Sequence, residues 1–313
     1  LFCITLGLLV VGHLYAEEGQ LLSVENLYHP RHKFSFEGSP PSILRWCRDG
    51  KHYLRWERTP DGGSKRLVQV NAISGKTQIF YENSKIRDAF MKNVGLNREQ
   101  AGRLVRDGEF RLSPDEGAVL IQYRQELFYF HFEKGRALRL TDSKALEREP
   151  DFSPDSQFVS FVRDHDLYVV DIEKGIEKRL TQSGGSDLLN GILDWVYQEE
   201  IYGRGDFKGY WWSPDSSSIA YLQLDVSAVP GFTVTDHIPR YLRKEITRYP
   251  KAGESNPVAR LGVVASTGGR TKWLDLSRYK PEDLLIVQVG WKDRGQKIVF
   301  QVQNRKQTWL DLN

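Results

Sequence analysis

Glu199 and Glu200 are adjacent carboxylates near the end of Ser186 to Tyr202 (SDLLNGILDWVYQEEIY), a stretch whose apolar period differs from that of its surroundings. Leu188, Leu189, Ile192, Leu193, Val196 and Tyr197 recur at three- and four-residue steps, the spacing of one apolar helix face. This predicts a short helix, with Asp187 or Ser186 as N-cap and with Gly203 and Gly205 able to stop it by taking positive φ. Both acids then sit at the C-terminal end, where the helix dipole slightly disfavours negative charge. Nothing about folding asks for that placement. Neighbouring carboxylates offer charge-assisted acceptors; the plainer reading of such a pair is two solvated charges at a helix end.

The elements around this stretch read as strands. Ser-Pro-Asp triplets start at Ser113 and Ser153, forty residues apart, and again at Ser213, sixty further on. The extra length before the third is filled by the helix, which makes it an insertion between repeats. A degenerate copy, VGWKDRGQKIVFQVQ, carries Trp291 before its turn. In each triplet Pro suits the second position of a type I turn, Ser can bond the turn backbone, and Asp favours the next position. Alternating segments such as Phe158, Ser160, Val162 and Leu167, Val169, Asp171 build the flanking strands. Earlier, Asp49-Gly50, Asp61-Gly62 and Ser74-Gly75 mark turns between three further strands. A four-stranded unit recurring every forty to fifty residues is the signature of β-propeller blades. Between Lys85 and Arg106, Ile86, Phe90, Ala101, Leu104 and Val105 follow a helical pattern, an insertion or blade connector without chemistry of its own.

Composition narrows the class. The 313 residues are 40% apolar and 12% aromatic, enough for a large core, and 44 basic against 41 acidic residues leave a net charge of +3. That balance argues against a nucleic-acid binder. Arg240, Arg243, Lys244, Arg248 and Lys251, diluted by Glu245 and Glu254, read as a solvated strand face. Residues 1–16 (LFCITLGLLVVGHLYA) look like the apolar part of a secretory signal cleaved after Ala16, or a membrane-anchor remnant. Either places the body outside the cytoplasm: periplasmic, secreted or membrane-anchored. Cys3 lies in that leader and Cys47 is a lone, buried thiol, so neither a disulfide nor a cysteine metal site is expected. His29, His32, His52, His131, His165 and His237 are scattered without ligand or triad spacing and are read as structural.

At DWVYQEE (Asp194 to Glu200), YWWSPD (Tyr210 to Asp215), VPGF (Val229 to Phe232) and RYPKAGESNP (Arg248 to Pro257), the sequence resembles the N-terminal propeller of the dipeptidyl-peptidase IV branch of the prolyl oligopeptidase superfamily. The likeness extends to LYHPRHKFSFEGSPP near the start and VQNRKQTWLDL at the end, from about Leu21 to Asn313. The resemblance implies a serine exopeptidase that removes dipeptides from a free N-terminus, preferring Pro or Ala second. It implies that Glu199 and Glu200 bind the substrate's terminal ammonium, and that an arginine of the second blade, for which Arg124 is the candidate, holds a backbone carbonyl and orders the acids. Position 198 is Gln where some relatives have a third acid. Another oligopeptidase branch is disfavoured, since those lack the acid-bearing helix.

No Gly-x-Ser-x-Gly nucleophile elbow occurs in the sequence. The expectation is therefore an all-β chain: a leader over 1–16, then over 17–313 an incomplete β-propeller of about five or six four-stranded blades. It would be the substrate-gating part of an exported dipeptidyl peptidase, inactive without a missing α/β-hydrolase domain. The expected partners are a peptide N-terminus, that domain and a second copy in a homodimer, with no nucleic acid, metal or organic cofactor. The alternative is a stand-alone extracytoplasmic propeller that binds a protein or peptide.

Overall fold

The computed structural model describes residues 23–29, 45–59 and 65–313. Residues 1–42 and 43–313 form two units, and in the first the described part is helix α1 (Val24–Tyr28) with a residue on either side. The leader and its cleavage point, the Asp61-Gly62 turn, His32 and most of LYHPRHKFSFEGSPP lie outside the described residues. Among the described residues no helix is long and apolar enough to cross a membrane.

The second unit is a succession of antiparallel sheets, all but one of them formed by strands consecutive in sequence. Blade 1 comprises β1 (Arg45–Trp46), β2 (His52–Arg58), β3 (Lys65–Asn71) and β4 (Thr77–Glu82). Helices α2 (Asn83–Val94) and α3 (Arg98–Asp107) follow where the sequence predicts them, α3 starting on an Asn97–Gln100 capping box. Ile86, Phe90, Ala101, Leu104 and Val105 are their buried face, packed on blade 2. That blade is β5 (Glu109–Leu112), β6 (Ala118–Tyr123), β7 (Glu126–His131) and β8 (Arg136–Arg139). Blade 3 is β9 (Arg148–Phe152), β10 (Phe158–Arg163), β11 (Asp166–Asp171) and β12 (Ile176–Arg179). Cys47 is buried beside blade 1, and burial pushes its thiol up.

Blade 4 departs from this regularity. Both β13 (Leu188–Asn190) and β14 (Tyr210–Trp212) pair with one long strand, β15 (Ser218–Asp225). Residues 191–209 leave the sheet between them, so the blade's first strand is split in two. A separate hairpin, β16 (Gly231–Asp236) with β17 (Arg243–Arg248), precedes the blade's last strands, β18 (Val258–Ala265) and β19 (Lys272–Trp273). The basic run lies along this hairpin and just beyond it, with Arg243 and Lys244 exposed as predicted. A fifth sheet of β20 (Leu284–Lys292), β21 (Lys297–Asn304) and β22 (Leu310–Leu312) ends the chain.

The Ser-Pro-Asp turns behave as their chemistry dictates. Ser113, Ser153 and Ser213 are fully buried. Each serine hydroxyl donates to the turn's aspartate, at 2.5–2.6 Å, and accepts the N–H five residues on, at 2.9–3.0 Å. The fourth residue is left-handed, with φ of 64° at Glu116, 62° at Ser156 and 61° at Ser216. Glycine takes such a backbone without strain, as Gly50 does in blade 1 at 64°. The side chains here do what glycine cannot. Glu116 Oε1 accepts the Arg48 N–H at 2.7 Å, Ser156 Oγ that of Asp115 at 3.2 Å and Ser216 Oγ that of Asp155 at 3.1 Å. Every one of these bonds ties a turn to the preceding blade.

Candidate functional site

The segment that splits blade 4 carries the two acids, and its helical part is shorter and more widely wound than an amphipathic α-helix. Leu188–Asn190 is strand, Ile192 bridges to Lys208, and helical geometry begins only at Trp195, continuing as a π-helix over Tyr197–Ile201. The expected helix from Ser186 is corrected accordingly. A strand that buries both faces leaves the same close-spaced apolar residues as a helix face, and Gly191, at φ 72°, ends it. The N-cap is Asp194, whose carboxylate accepts Val196 N–H at 3.2 Å and Tyr197 N–H at 3.1 Å. Asp187 instead holds Arg248 Nη2 at 2.6 Å, pinning the base of the β16–β17 hairpin. Burial pushes the Asp194 carboxyl up to about 6, against the pull of the N–H groups it accepts.

The turn is fixed from outside by aromatics. Tyr197, fully buried, accepts Ile286 N–H at 3.3 Å on its hydroxyl, while Tyr202 donates its own hydroxyl to Ile286 O at 3.2 Å. One residue of β20 therefore anchors both ends of the π-turn. The two tyrosine rings stack at 6.3 Å, and Tyr202 meets Trp211 at 5.7 Å. Trp195 packs edge-on against Tyr249 at 4.3 Å, and Tyr249 meets Phe232 at 5.9 Å. The motifs DWVYQEE, YWWSPD, VPGF and RYPKAG thus form one packing unit around the acid-bearing turn.

Adjacent positions on a helix do not face the same way, and the acids differ accordingly. The Glu199 side chain is 15% exposed, with Oε1 2.5 Å from Arg204 Nη2 and Oε2 3.5 Å from Gln198 Nε2. Glu200 is exposed and makes no hydrogen bond or ion pair among the described residues. Gln198, buried, accepts Gly205 N–H on Oε1 at 2.8 Å, so the neutral amide at this position ties the following loop to the turn.

Arg124 lies in the second blade, as expected, though past the end of its strand. It lies just beyond β6, in the tight turn to β7, at φ 59°, exposed, with its guanidinium 5.2 Å over the Tyr123 ring. Among the described residues no hydrogen bond or ion pair joins it to Glu199 or Glu200. The arginine that meets Glu199 is Arg204, between two glycines that the sequence marks only as helix stops. Lys208 pairs with Asp151 and lies 4.9 Å over the Tyr210 ring. Arg111 reaches the other oxygen of Asp151 at 3.4 Å, and Arg148 lies 5.4 Å over Phe207.

Residues 112–313 match the family model described as the dipeptidyl peptidase IV (DPP IV) N-terminal region. The chain is 31% identical over 217 residues to dipeptidyl peptidase 4 of Trichophyton tonsurans, covering 64% of this chain and 28% of that one. Against dipeptidyl peptidase 4 of Arthroderma otae it is 32% identical over 293 residues, covering 81% and 37%. It therefore spans about a third of the length of these relatives. The crystal structure of Porphyromonas gingivalis dipeptidyl peptidase 4 superposes with a TM-score of 0.71 at 23% identity, over 87% of this chain and 37% of that one, and shares its fold.

Proposed function

The chain belongs to the family of dipeptidyl peptidase IV N-terminal regions, and from that premise we propose that it is the substrate-gating propeller of an exported serine-type dipeptidyl peptidase that releases X-Pro or X-Ala dipeptides. Glu199 and Glu200 receive the substrate's N-terminal ammonium. An ammonium offers three N–H donors, and the two carboxylates accept them from different directions, Glu199 from the wall and Glu200 from the open side. A carbonyl a fixed number of bonds from the amine is then presented to a serine nucleophile, for whose Gly-x-Ser-x-Gly elbow these 313 residues carry no match. Holding the amine at a fixed point makes the dipeptide the measured unit, because the reacting geometry is reached at one chain length only.

The observation that carries this reading is the state of Glu199. Its carboxylate is largely withdrawn from water and already bound to a guanidinium, on a turn whose Tyr197, Tyr202 and Asp194 are all locked. A charge held so costs free energy unless paired, and the paired species here is a cation with several N–H donors.

The test is a titration of the purified chain with glycyl-prolinamide and with its N-acetylated form, followed by NMR. The free amine should bind and the acetylated form should not. Glu199→Gln and Glu200→Gln should each weaken binding, Glu199→Gln by about tenfold or more, as for the loss of one partner of a partly buried charge pair. Equal binding of both ligands, or unchanged affinity in both variants, overturns the assignment.

A further inference from the structure

We infer that Arg204 is a built-in competitor for the substrate's ammonium: it occupies Glu199 in the free protein and is displaced when a peptide N-terminus binds. The inference rests on the role proposed above for the acid pair.

Three features of the structure carry it. First, the partners are unequal. Arg204 is 85% exposed and Glu199 15%, so the cation reaches in from solvent to a carboxylate that stays in place. Leaving costs the exposed Arg204 little, and the incoming ammonium takes over the pairing that Glu199 needs. Second, the backbone permits the movement. Arg204 sits between Gly203, at φ 116°, and Gly205, at φ 86°, and a Cβ added at either would meet nothing within 4 Å. The base of this Gly-Arg-Gly turn is tied by Gly205 N–H on Gln198 Oε1 and by Asp206 N–H on Gly203 O at 2.9 Å. Among the described residues its tip is held only by the ion pair. Third, the chemistry matches. A guanidinium N–H on Glu199 Oε1 stands where an ammonium N–H would stand, and it offsets the repulsion between the two acids while the site is empty.

The consequence is an exchange of one cation for another. Binding then leaves the charge balance at Glu199 unchanged, which makes it shallow in salt and selects against ligands too weak to displace the arginine. A free amine bound to both acids displaces it; a blocked N-terminus cannot.

The experiment titrates glycyl-prolinamide into the full chain and its Arg204→Ala, Arg204→Lys and Glu199→Gln variants at two salt concentrations. Arg204→Ala should bind about threefold more tightly than the unaltered chain at low salt, the size of an exposed ion pair, and lose affinity more steeply as salt rises. Arg204→Lys, which keeps a competing cation, should resemble the unaltered chain. In a Glu199→Gln background the gain from Arg204→Ala should vanish. Weaker binding by Arg204→Ala would make the arginine a substrate ligand and overturn the inference, as would unchanged affinity and salt dependence. If Glu199→Gln weakens binding in either case, the acid-pair reading survives. If neither acid affects binding, both fall together.

Discussion

The Ser-Pro-Asp turns and the π-turn that splits blade 4 are both short reversals capped by an aspartate, yet they spend their polar groups in opposite ways. In the repeated turns the triplet's side chains satisfy one another, and the fourth side chain bonds the preceding blade. One oxygen of every triplet carboxylate is taken up within its own turn. In the π-turn the backbone is held by Tyr197, Tyr202 and Trp195 through β20 and Tyr249, which leaves one carboxylate unpaired and the other held by a displaceable arginine. The aspartates register the same contrast. Hydrogen bonds from Ser213 and Ser217 hold the exposed Asp215 carboxyl below the usual carboxylate range, whereas burial raises that of Asp194 although it too accepts two N–H groups. A turn that closes on itself is scaffold; one held from outside can present groups it does not need.

The contrast breaks first at Tyr197, the anchor from which the π-turn hangs. Tyr197→Ala should cost about 3–5 kcal/mol in urea unfolding, as for other large buried aromatics, and should abolish binding of glycyl-prolinamide. Tyr197→Phe keeps the ring and loses one hydrogen bond to Ile286, so it should cost about 1 kcal/mol. If alanine proved as mild as phenylalanine, the turn would not depend on β20.

Asp194 gives the next largest effect, and its sign is set by burial. The folded carboxyl titrates at about 6 against an ordinary 3.8, so the folded chain holds the proton more tightly than the unfolded one. The contribution to stability is present in full below about pH 4 and is lost as pH rises to about 6, on the order of 2–3 kcal/mol. Asp194→Asn keeps a capping oxygen but does not titrate. Relative to the unaltered chain it should gain stability between pH 4 and pH 6 in urea melts, and a constant difference over that range would contradict the buried-cap account.

The smallest effect sharpens the scaffold side. Ser216→Ala loses the acceptor for Asp155 N–H and keeps the left-handed strain, for about 1–2 kcal/mol, while Ser216→Gly loses the acceptor but relaxes the strain and should cost about 1 kcal/mol less. Equal costs in urea unfolding would show that the left-handed backbone carries no penalty at this position.

Much of the scaffold is legible in the chain because its determinants are local. Ser, Pro and Asp act within five residues, α3 starts on its own Asn97–Gln100 box, and strand alternation needs no distant partner. The acid pair and the aromatic motifs beside it were legible as a string, though not as a shape. Leu188 to Tyr197 carries a helical period that belongs to a strand, a bridge and a π-turn. The left-handed turn that holds Arg124 is likewise not written in its string.

What sequence alone determined is the repeating blade, an interruption before the third Ser-Pro-Asp turn and the two neighbouring acids, because each depends on residue type at short range; that the interruption falls inside the fourth blade's first strand and not between repeats came from the strand pairing. Which acid is withdrawn from water, which arginine meets it and what holds the turn were decided only by tertiary structure. Ile286 lies 84 residues beyond Tyr202 and 89 beyond Tyr197, and no short-range pattern announces that it will fasten both. Burial is a property of the assembled sheets, and with the Arg204 ion pair it makes Glu199 and Glu200 chemically different.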